Sequence, residues 1–455
     1  MCNQKIYDLI DSYRDQYVSM LRRWVQVPSV KGEAEDGAPF GRDVRRMLDM
    51  AMVDAETLGF MTGAYDGYAC DIRLGDSDDE IAVLGHLDVV PAGDGWNRPP
   101  FGAEMDNGRV YGRGTGDDKG PSLCALFAMK AIRDAGIPLR RSVRLILGCD
   151  EESGWEDMDW YTAHTDMPAM GFSPDASFPV INTEKSMLGF ELRADTDDTG
   201  LKILRLETGE RTNVIPGECE ALLAGGDDLI AKVAAYAVKT GLPYTAEKTD
   251  GGILVHAAGI PGHSAYPQSA RNAIGMMLNL LKELGVTGPV RTLADAVGIE
   301  YNGASLGCAC SDDVSGALTC NIGILRIKDG HLFATLDYRC PITSDLDALQ
   351  KATADHLPGI RVTCTKVTPP HHVPADSELV TALLSAYHEE TGLDAYPMST
   401  GGGTYAKVLK QGVAFGAGFP DDVDLAHQAN EYVEIDKMIL TIKIYANALI
   451  RLIAE

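Results

Sequence analysis

His86 and Asp88 stand at the end of a short apolar run, residues 81–84, that predicts a buried strand. In an extended segment, residues two apart point to the same side, so both side chains could face one site. A histidine with a carboxylate nearby to orient it is a common metal-binding arrangement. A strand-end histidine beside a solvated aspartate would give the same pattern, so these two residues alone leave both interpretations open.

Two further aspartates, Asp117 and Asp118, immediately precede a segment that predicts a helix ending at Gly136. Capping would account for them, because the helix dipole favours negative charge at the N-terminus. One of the two could instead bridge a pair of metal ions through its two carboxylate oxygens. The glycine-rich stretch at 112–116 does not have the spacing of a nucleotide-binding loop, so a phosphate site is not indicated.

Glu151 and Glu152 follow the next apolar strand, residues 142–149. Neighbouring residues at a strand end point in different directions, so one glutamate could bind metal while the other acts as a general base. Two adjacent negative charges also raise one of the two pKa values, which suits a proton shuttle. An acidic surface loop is the alternative. Asp175 and His427 complete the set of candidate residues.

The elements that must position these residues follow a strand–helix–strand order with polar residues at the strand ends. This order is typical of α/β domains, whose sites lie at the carboxyl edge of the sheet. Between residues 183 and 374, strand-like alternation mixes with helical segments, which indicates a second, α+β domain. We therefore predict an α/β catalytic domain, a mixed sheet flanked by helices, in two parts (1–183 and 374–455). An α+β lid domain (184–373) interrupts it.

Charge and composition exclude several classes of function. The 66 Asp and Glu residues against 40 Lys and Arg give a net charge of −26, which repels nucleic acids and anionic membranes. No apolar run approaches the roughly 20 residues of a membrane span. The 10 cysteines form no C-x-x-C pair, and several lie in apolar stretches, which is typical of free thiols in a reducing compartment. We expect a cytoplasmic protein with no nucleic-acid or membrane partner.

Taken together, these segments resemble the co-catalytic metallopeptidase family that includes carboxypeptidase G, succinyl-diaminopimelate desuccinylase and the aminoacylases. The resemblance is closest to the PepV-type dipeptidase branch, and it extends over nearly the whole chain in the correct order. The segments that carry it are GHLDVVPAGDGW at 85–96, GRGTGDDKGP at 112–121, DEE at 150–152, SPDA at 173–176 and AHQANE at 426–431.

The resemblance implies a site for two divalent metal ions, with Zn²⁺ expected first and Mn²⁺ or Co²⁺ also compatible with the ligands. It implies that His86, Asp117 and Asp175 hold the first ion. It implies that Asp117, Glu152 and His427 hold the second, so that Asp117 bridges the two.

The same resemblance assigns roles to other residues. Glu151 would be the general base, acting on a water that bridges the metal ions, and Asp88 would orient the ligands. In the lid, His263 would stabilise the oxyanion and Arg339 would bind the terminal carboxylate of the substrate, with the help of Asn213. Each lid residue also has a simpler interpretation as a turn, loop or surface residue. A segment of small residues at 399–405 could offer backbone N–H groups to the substrate carboxylate, or could be a flexible turn.

These assignments predict a metal-dependent dipeptidase that acts on dipeptides with a free N-terminus. A hydrolase of N-acyl amino acids, of the deacylase or carboxypeptidase type, is the alternative within the same chemistry. A non-catalytic metal-binding protein is the alternative from another class, although it would be expected to have lost some of the ligands. The sequence is compatible with a monomer or a homodimer.

Overall fold

The computed structural model describes residues 2–196 and 199–454. The chain forms two compact units. The first contains Met1–Thr183, His372–Met398 and Gly403–Glu455, and the second contains Glu184–His371 and Ser399–Gly402. The predicted domain boundaries at 183/184 and 373/374 stay predictions, and the structure places residues 399–402 with the second unit.

A mixed β-sheet forms the centre of the first unit. The central strands Glu80–His86 and Ser142–Gly148 are short apolar segments with both faces buried, which explains their continuous rather than alternating hydrophobic pattern. In spatial order the strands are Met61–Tyr65, Ala69–Leu74, Ser142–Gly148, Glu80–His86, Met170–Ser173, Gln411–Ala414, Val180–Glu184 and His371–His372. Smaller strands of this unit are Glu104–Asp106, Arg109–Tyr111, Ala176–Ser177, Ala417–Gly418 and Tyr432–Glu434. The strand Pro397–Thr400 begins in the first unit and ends in residues 399–402, which belong to the second.

The middle of this sheet is parallel. Glu80–His86 runs parallel to both Ser142–Gly148 and Met170–Ser173, and His86 lies opposite Gly148. Gln411–Ala414 continues the parallel arrangement beyond Met170–Ser173. The carboxyl ends of these strands therefore lie at one edge of the sheet, where α/β folds place their sites.

Helices cover the sheet of the first unit. The most buried is Lys119–Ala135, which begins directly after Asp118 and ends at Gly136 in the left-handed conformation (φ +71°). It packs against the C-terminal helix Ile435–Ile453. The other helices of the unit are Cys2–Ser12, Arg14–Val25, Arg42–Thr57, Glu156–His164 and Glu378–Thr391, with a short 3₁₀ segment at Tyr405–Val408.

The second unit is built on an antiparallel sheet with its own hydrophobic core. Its strands in spatial order are Tyr244–Thr249, Gly252–Ala258, Glu218–Leu223, Ile203–Thr208, Thr319–Lys328, His331–Cys340, Ser186–Asp195 and Arg361–Thr368. Its helices are Asp227–Thr240, Ala273–Glu283, Gly288–Ala296 and Leu346–Asp355, with 3₁₀ segments at Pro267–Ser269 and Ala304–Leu306. Two short strand pairs complete the unit, Val214–Ile215 with Gly262–His263 and Ser311–Asp312 with Gly316–Ala317.

The predicted fold class is confirmed: the first unit has a mixed sheet flanked by helices, and an α+β unit interrupts it in the sequence. The cysteines at 124, 149 and 320 are buried free thiols, as their apolar surroundings predict. Within residues 2–196 and 199–454, no helix has the length and apolar character needed to cross a bilayer.

Candidate metal centre

The fold brings the predicted ligands together because most of them follow parallel strands of the first unit. His86 is the last residue of its strand, Glu151 and Glu152 come shortly after Ser142–Gly148, and Asp175 comes shortly after Met170–Ser173. Since these strands end at the same edge of the sheet, side chains distant in the sequence meet there.

His86 is the buried histidine of the site. Its Nε2 atom lies 3.0 Å from Oδ1 of Asp117 and 3.7 Å from Oδ2 of Asp175. Its Nδ1 atom lies 3.0 Å from the backbone carbonyl oxygen of Asp88. A carbonyl oxygen only accepts hydrogen bonds, so Nδ1 carries a proton and Nε2 is the nitrogen available for a metal ion.

His427 approaches the same aspartate from the other side. Its Nε2 atom lies 3.1 Å from Oδ2 of Asp117 and 2.9 Å from Oε2 of Glu152. The two oxygens of Asp117 therefore face two different histidines, Oδ1 towards His86 and Oδ2 towards His427. This is the arrangement that a carboxylate bridging two ions requires.

The site contains two groups of three potential ligand atoms, and within each group all three atoms lie within 4.8 Å of one another. One contains His86, Glu151 and Asp175, and the other contains His86, Asp117 and Glu152. The grouping differs from the predicted division of ligands, since Glu151 was predicted as the base and it lies here with the first histidine. All the predicted ligands nevertheless belong to one cluster of short distances.

The electrostatics of the cluster fit divalent cations. Burial raises the pKa of Asp175 well above its usual range, and the negative charge of Asp117 raises it further. Burial and the charge of Asp175 do the same for Glu151, and burial and Asp117 raise the pKa of Glu152. Carboxylates that repel one another in a buried site are stabilised in the ionised state by positive ions. The donors are imidazole nitrogens and carboxylate oxygens, which suit Zn²⁺, Mn²⁺ and Co²⁺.

The pKa values of the two imidazoles are also raised, in this case by neighbouring carboxylates and against the effect of burial. Burial alone would lower the pKa of His86, but hydrogen bonds with Asp117 and Asp88 raise it well above its usual range. Burial likewise opposes the shift at His427, whose hydrogen bonds to Asp117 and Glu152 raise its pKa to about 11. Burial raises the pKa of Asp117, but hydrogen bonds from both histidines outweigh it and bring the pKa far below its usual range.

Asp88 contacts the backbone of both candidate glutamates. Its Oδ1 accepts the N–H of Glu151 and its Oδ2 accepts the N–H of Glu152, each at 3.2 Å. Its Oδ1 also lies 3.5 Å from Nδ1 of His86. One carboxylate therefore links the histidine and the two glutamates, which accords with an orienting rather than a ligating position.

Asp118 lies outside the ligand cluster, although it adjoins Asp117. It is buried, and its Oδ2 accepts hydrogen bonds from the Ser122 hydroxyl at 2.7 Å and from the backbone N–H of His86 at 3.2 Å. Burial raises its pKa to about 7. Its contacts support the strand end that carries His86.

The three predicted lid residues all lie in the second unit. The short strand pair places Val214 opposite His263, and the backbone N–H of Ser264 donates to the carbonyl of Asn213 at 2.9 Å. Asn213 and His263 are thus neighbours, and the His263 side chain is exposed.

Arg339 is buried in the second unit and is held by protein groups. Its Nε donates to Oδ2 of Asp337 at 2.9 Å, and its Nη1 donates to the carbonyl of Gly401 at 2.6 Å. The Nη2 atom has a longer contact, 3.5 Å, to the hydroxyl of Ser264. Of these three contacts of the guanidinium group, the one made by Nη2 is the longest.

Sequence interpretation missed two interactions next to the ligands. The buried Asp157 accepts hydrogen bonds from the backbone N–H groups of Cys149 and Asp150, which precede Glu151, and from the hydroxyl of Tyr405. The second is a buried ion pair between Arg113 and Glu431. Arg113 and Glu431 both lie in motifs quoted above, but nothing in a single sequence pairs them across 318 positions.

The profile described as Peptidase family M20/M25/M40 matches residues 82–451. The chain is 36% identical over 452 residues to "Putative dipeptidase YtjP" of Bacillus subtilis, covering 96% of this chain and 97% of that protein. It is 32% identical over 464 residues to a Staphylococcus aureus protein with a dipeptidase name, covering 98% and 99%.

Solved structures share the fold. Human carnosine dipeptidase 1 superposes with a TM-score of 0.62 at 16% identity, covering 99% of this chain and 98% of that chain. The dipeptidase Dug1p of Saccharomyces cerevisiae gives 0.60 at 16% identity with the same coverage. Fold and family together define a hydrolase of the metallopeptidase class. The chain belongs to peptidase family M20/M25/M40, which confirms the family resemblance found in the sequence.

Proposed function

We propose that this protein is a metal-dependent dipeptidase that hydrolyses dipeptides with a free N-terminus. The observation that carries the proposal is the position of Asp117, whose two oxygens lie 3.0 Å and 3.1 Å from the Nε2 atoms of His86 and His427. A relative 36% identical over nearly the full chain bears a dipeptidase name, which supports this choice of substrate.

In the proposed site, His86, Asp117 and Asp175 hold one divalent ion, and Asp117, Glu152 and His427 hold the other. Zn²⁺ is the ion we propose first, with Mn²⁺ or Co²⁺ as alternatives that the same nitrogen and oxygen donors accept. When bound, the two ions would polarise the scissile carbonyl and lower the pKa of the attacking water. Asp88 keeps the ligands in orientation through its contacts with His86 and with the Glu151 and Glu152 backbone.

Glu151 is the proposed general base. Burial and the charge of Asp175 raise its pKa, so its carboxylate has a stronger tendency to take up a proton than an exposed glutamate. Glu151 takes a proton from the attacking water and delivers it to the amine nitrogen of the leaving amino acid. The same side chain thereby acts first as base and then as acid.

The second unit is proposed to bind the terminal carboxylate of the substrate and the oxyanion that develops at the scissile carbonyl. Arg339 would pair with the terminal carboxylate through Nη2, Asn213 would assist it, and His263 would donate a hydrogen bond to the developing oxyanion. Asn213 directly precedes the strand Val214–Ile215, which pairs with Gly262–His263, and this proximity supports a shared role.

We further propose a cytoplasmic location and a small-peptide partner. Buried free thiols at 70, 124 and 149 favour a reducing compartment. For the oligomeric state we propose a monomer or a homodimer, and a sedimentation measurement distinguishes the two.

The test is a substrate panel on protein stripped with a chelator and reloaded with Zn²⁺, Mn²⁺ or Co²⁺. Elemental analysis of the reloaded protein should find two ions per chain. Amino acids should be released from dipeptides and not from N-acetyl amino acids. The opposite preference would replace the dipeptidase by a deacylase, and two bound ions without turnover of either substrate would favour a non-catalytic metal-binding protein.

A further inference from the structure

Arg113 and Glu431 form a buried ion pair beside the candidate metal centre. Nη1 of Arg113 lies 2.6 Å from Oε2 of Glu431, and the two residues are only 1% and 2% exposed. Removing two charges from water is costly, and a buried ion pair often contributes little net stability. The position of this pair within the molecule therefore calls for an explanation other than stability.

Glu431 connects the segments that carry two candidate ligands. Its carboxylate accepts the backbone N–H groups of Gly114 at 3.2 Å, Gly116 at 2.8 Å and Asp117 at 3.4 Å. It stands four residues after His427 in the sequence. One side chain thus fixes the backbone that carries Asp117 to the segment that carries His427.

Arg113 extends the connection to a third segment, the loop after His86 and Asp88. Its Nη2 donates to the carbonyl of Ala92 at 3.4 Å, and its guanidinium lies 5.5 Å from the ring centre of Trp96. The indole N–H of Trp96 donates to the same carbonyl at 2.8 Å. The ion pair therefore sits where the three loops that carry the two histidines and the bridging aspartate meet.

The segment around His427 needs such support. His427 has a φ of +64°, in the left-handed region that residues other than glycine rarely adopt. A conformation of this kind persists only where the surrounding structure holds it. Glu431 supplies contacts at one end of that segment.

The fold does not need the buried pair to join these segments. The strands Arg109–Tyr111 and Tyr432–Glu434 already pair antiparallel just beyond it. A second ion pair, Arg109 with Glu434 at 2.6 Å, joins the same strands at the surface, where the side chains are 38% and 35% exposed. The buried pair differs from it in contacting the backbone of the metal-site loop.

We infer that Arg113 and Glu431 are positioning residues that set the separation of Asp117 and His427, and thereby the affinity and geometry of the second ion's site. The inference rests on the proposed two-ion centre. Neither residue touches the reacting atoms: they act through the backbone of the ligands. Loss of the pair should therefore change metal binding while the protein remains folded.

The test compares Glu431→Gln with Glu434→Gln. The two variants remove one negative charge each, three positions apart, from ion pairs that join the same two segments. Metal binding is measured by competition with a chromophoric chelator for Zn²⁺ and by the visible absorption spectrum of the Co²⁺-loaded protein. Thermal unfolding of the metal-free proteins, followed by circular dichroism, checks that each variant is folded.

We expect Glu431→Gln to bind one of the two ions about 10- to 100-fold more weakly and to change the Co²⁺ spectrum. Glu434→Gln should keep wild-type values. Equal affinities and spectra in folded Glu431→Gln and the wild type would overturn the inference, as would an equal loss in both variants. If Glu431→Gln does not fold, Arg113→Lys decides: weaker binding of one ion supports the inference, and unchanged binding refutes it.

The readout separates this inference from the proposed function. Ion binding is measured without a peptide, so a wild type that binds two ions but leaves dipeptides intact would refute the dipeptidase and leave the comparison of variants valid. A wild type that does not bind two metal ions would refute the proposed metal centre, and this inference with it.

Discussion

The hydroxyl of Tyr405 donates a hydrogen bond to the buried carboxylate of Asp157, and the same carboxylate oxygen accepts the backbone N–H groups of Cys149 and Asp150. Tyr405 also packs edge-on against the ring of His86, with 6.4 Å between ring centres. One tyrosine therefore contacts the first candidate histidine and, through Asp157, the turn that carries Glu151.

The Tyr405→Phe variant tests this relationship. Burial raises the pKa of Asp157 to about 7, and the hydrogen bond from Tyr405 opposes that shift. Loss of the hydrogen bond from Tyr405 to Asp157 should lower the free energy of unfolding by about 1.5–3 kcal/mol, because the acceptor is a buried carboxyl group. Turnover should fall as well, since the turn before Glu151 loses a support. Urea unfolding and steady-state kinetics measure the two effects.

Tyr445→Phe is the matched control. Tyr445 is also fully buried, and its hydroxyl donates to the neutral carbonyl of Phe415 at 2.9 Å. Its removal should cost about 1 kcal/mol and leave turnover of the folded protein unchanged. Equal effects of the two substitutions on turnover would show that Tyr405 has no special connection with the site.

Glu151→Gln tests the proposed base. The substitution keeps the size of the side chain and removes its ability to accept a proton, so the rate should fall about 10²- to 10⁴-fold. The content of metal ions should remain two per chain, because Glu151 is not a proposed ligand. Turnover is measured with a saturating dipeptide and metal content by elemental analysis.

Glu156→Gln provides the comparison for this variant. Glu156 is exposed at the start of the helix Glu156–His164, and it lies close to Glu151 in sequence without joining the ligand cluster. It should keep wild-type turnover. If Glu151→Gln also kept its rate, or if it lost an ion, the assignment of Glu151 as base rather than ligand would be wrong.

The sequence permitted placement of His86 and the Glu151–Glu152 pair because each follows an apolar run that predicts a strand. Parallel strands bring such ends together, so a local pattern was enough. Asp175 and His427 have no comparable local pattern, and their roles as ligands came only from the family resemblance. The helix after Asp118 was predicted to its C-terminal glycine because its signals are also local.

Pairings across the chain were beyond the sequence. Asp157 and Tyr405 are 248 positions apart, and neither residue type at its position indicates a partner. Arg339 and Asp337 are different: they are two apart on one strand, so they share a face, and their ion pair could have been expected from that spacing. A single sequence reveals contacts within an element more readily than contacts between elements.

Metal binding should release protons, and affinity should therefore rise with pH. Burial alone would lower the pKa of His427, but its hydrogen bonds to Asp117 and Glu152 raise it to about 11, so the imidazole is protonated in the metal-free protein at neutral pH. A metal ion needs the nitrogen lone pair, so that proton must leave. Each proton released should raise the apparent affinity up to about tenfold per pH unit between roughly pH 6 and 9. Titration calorimetry in buffers of different ionisation enthalpy counts the protons.

The same shift has a defined effect on the stability of the metal-free protein. The pKa of His427 is about 11 in the folded protein and near 6.5 in the unfolded chain. The contribution of this histidine to the free energy of unfolding is therefore fully present below about pH 6.5 and is lost as the pH rises towards 11.

His427→Gln should release fewer protons on metal binding than the wild type. His331→Gln, which removes an exposed histidine paired with Asp195 at 2.9 Å, should release as many as the wild type. Binding without proton release would contradict the protonated state of His427.

Arg339→Lys tests recognition of the terminal carboxylate by comparing two substrates. A lysine keeps the positive charge opposite Asp337, but it does not reproduce the fork that now contacts Asp337, Gly401 and Ser264. A hydrogen bond between charged groups contributes about 1.5–3 kcal/mol, so KM for a dipeptide should rise roughly 10- to 100-fold. KM for the corresponding dipeptide amide, which has no carboxylate, should hardly change. An equal rise for both substrates would mean that the substitution disturbs the second unit generally, and that Arg339 supports Gly401 and its neighbours rather than the substrate.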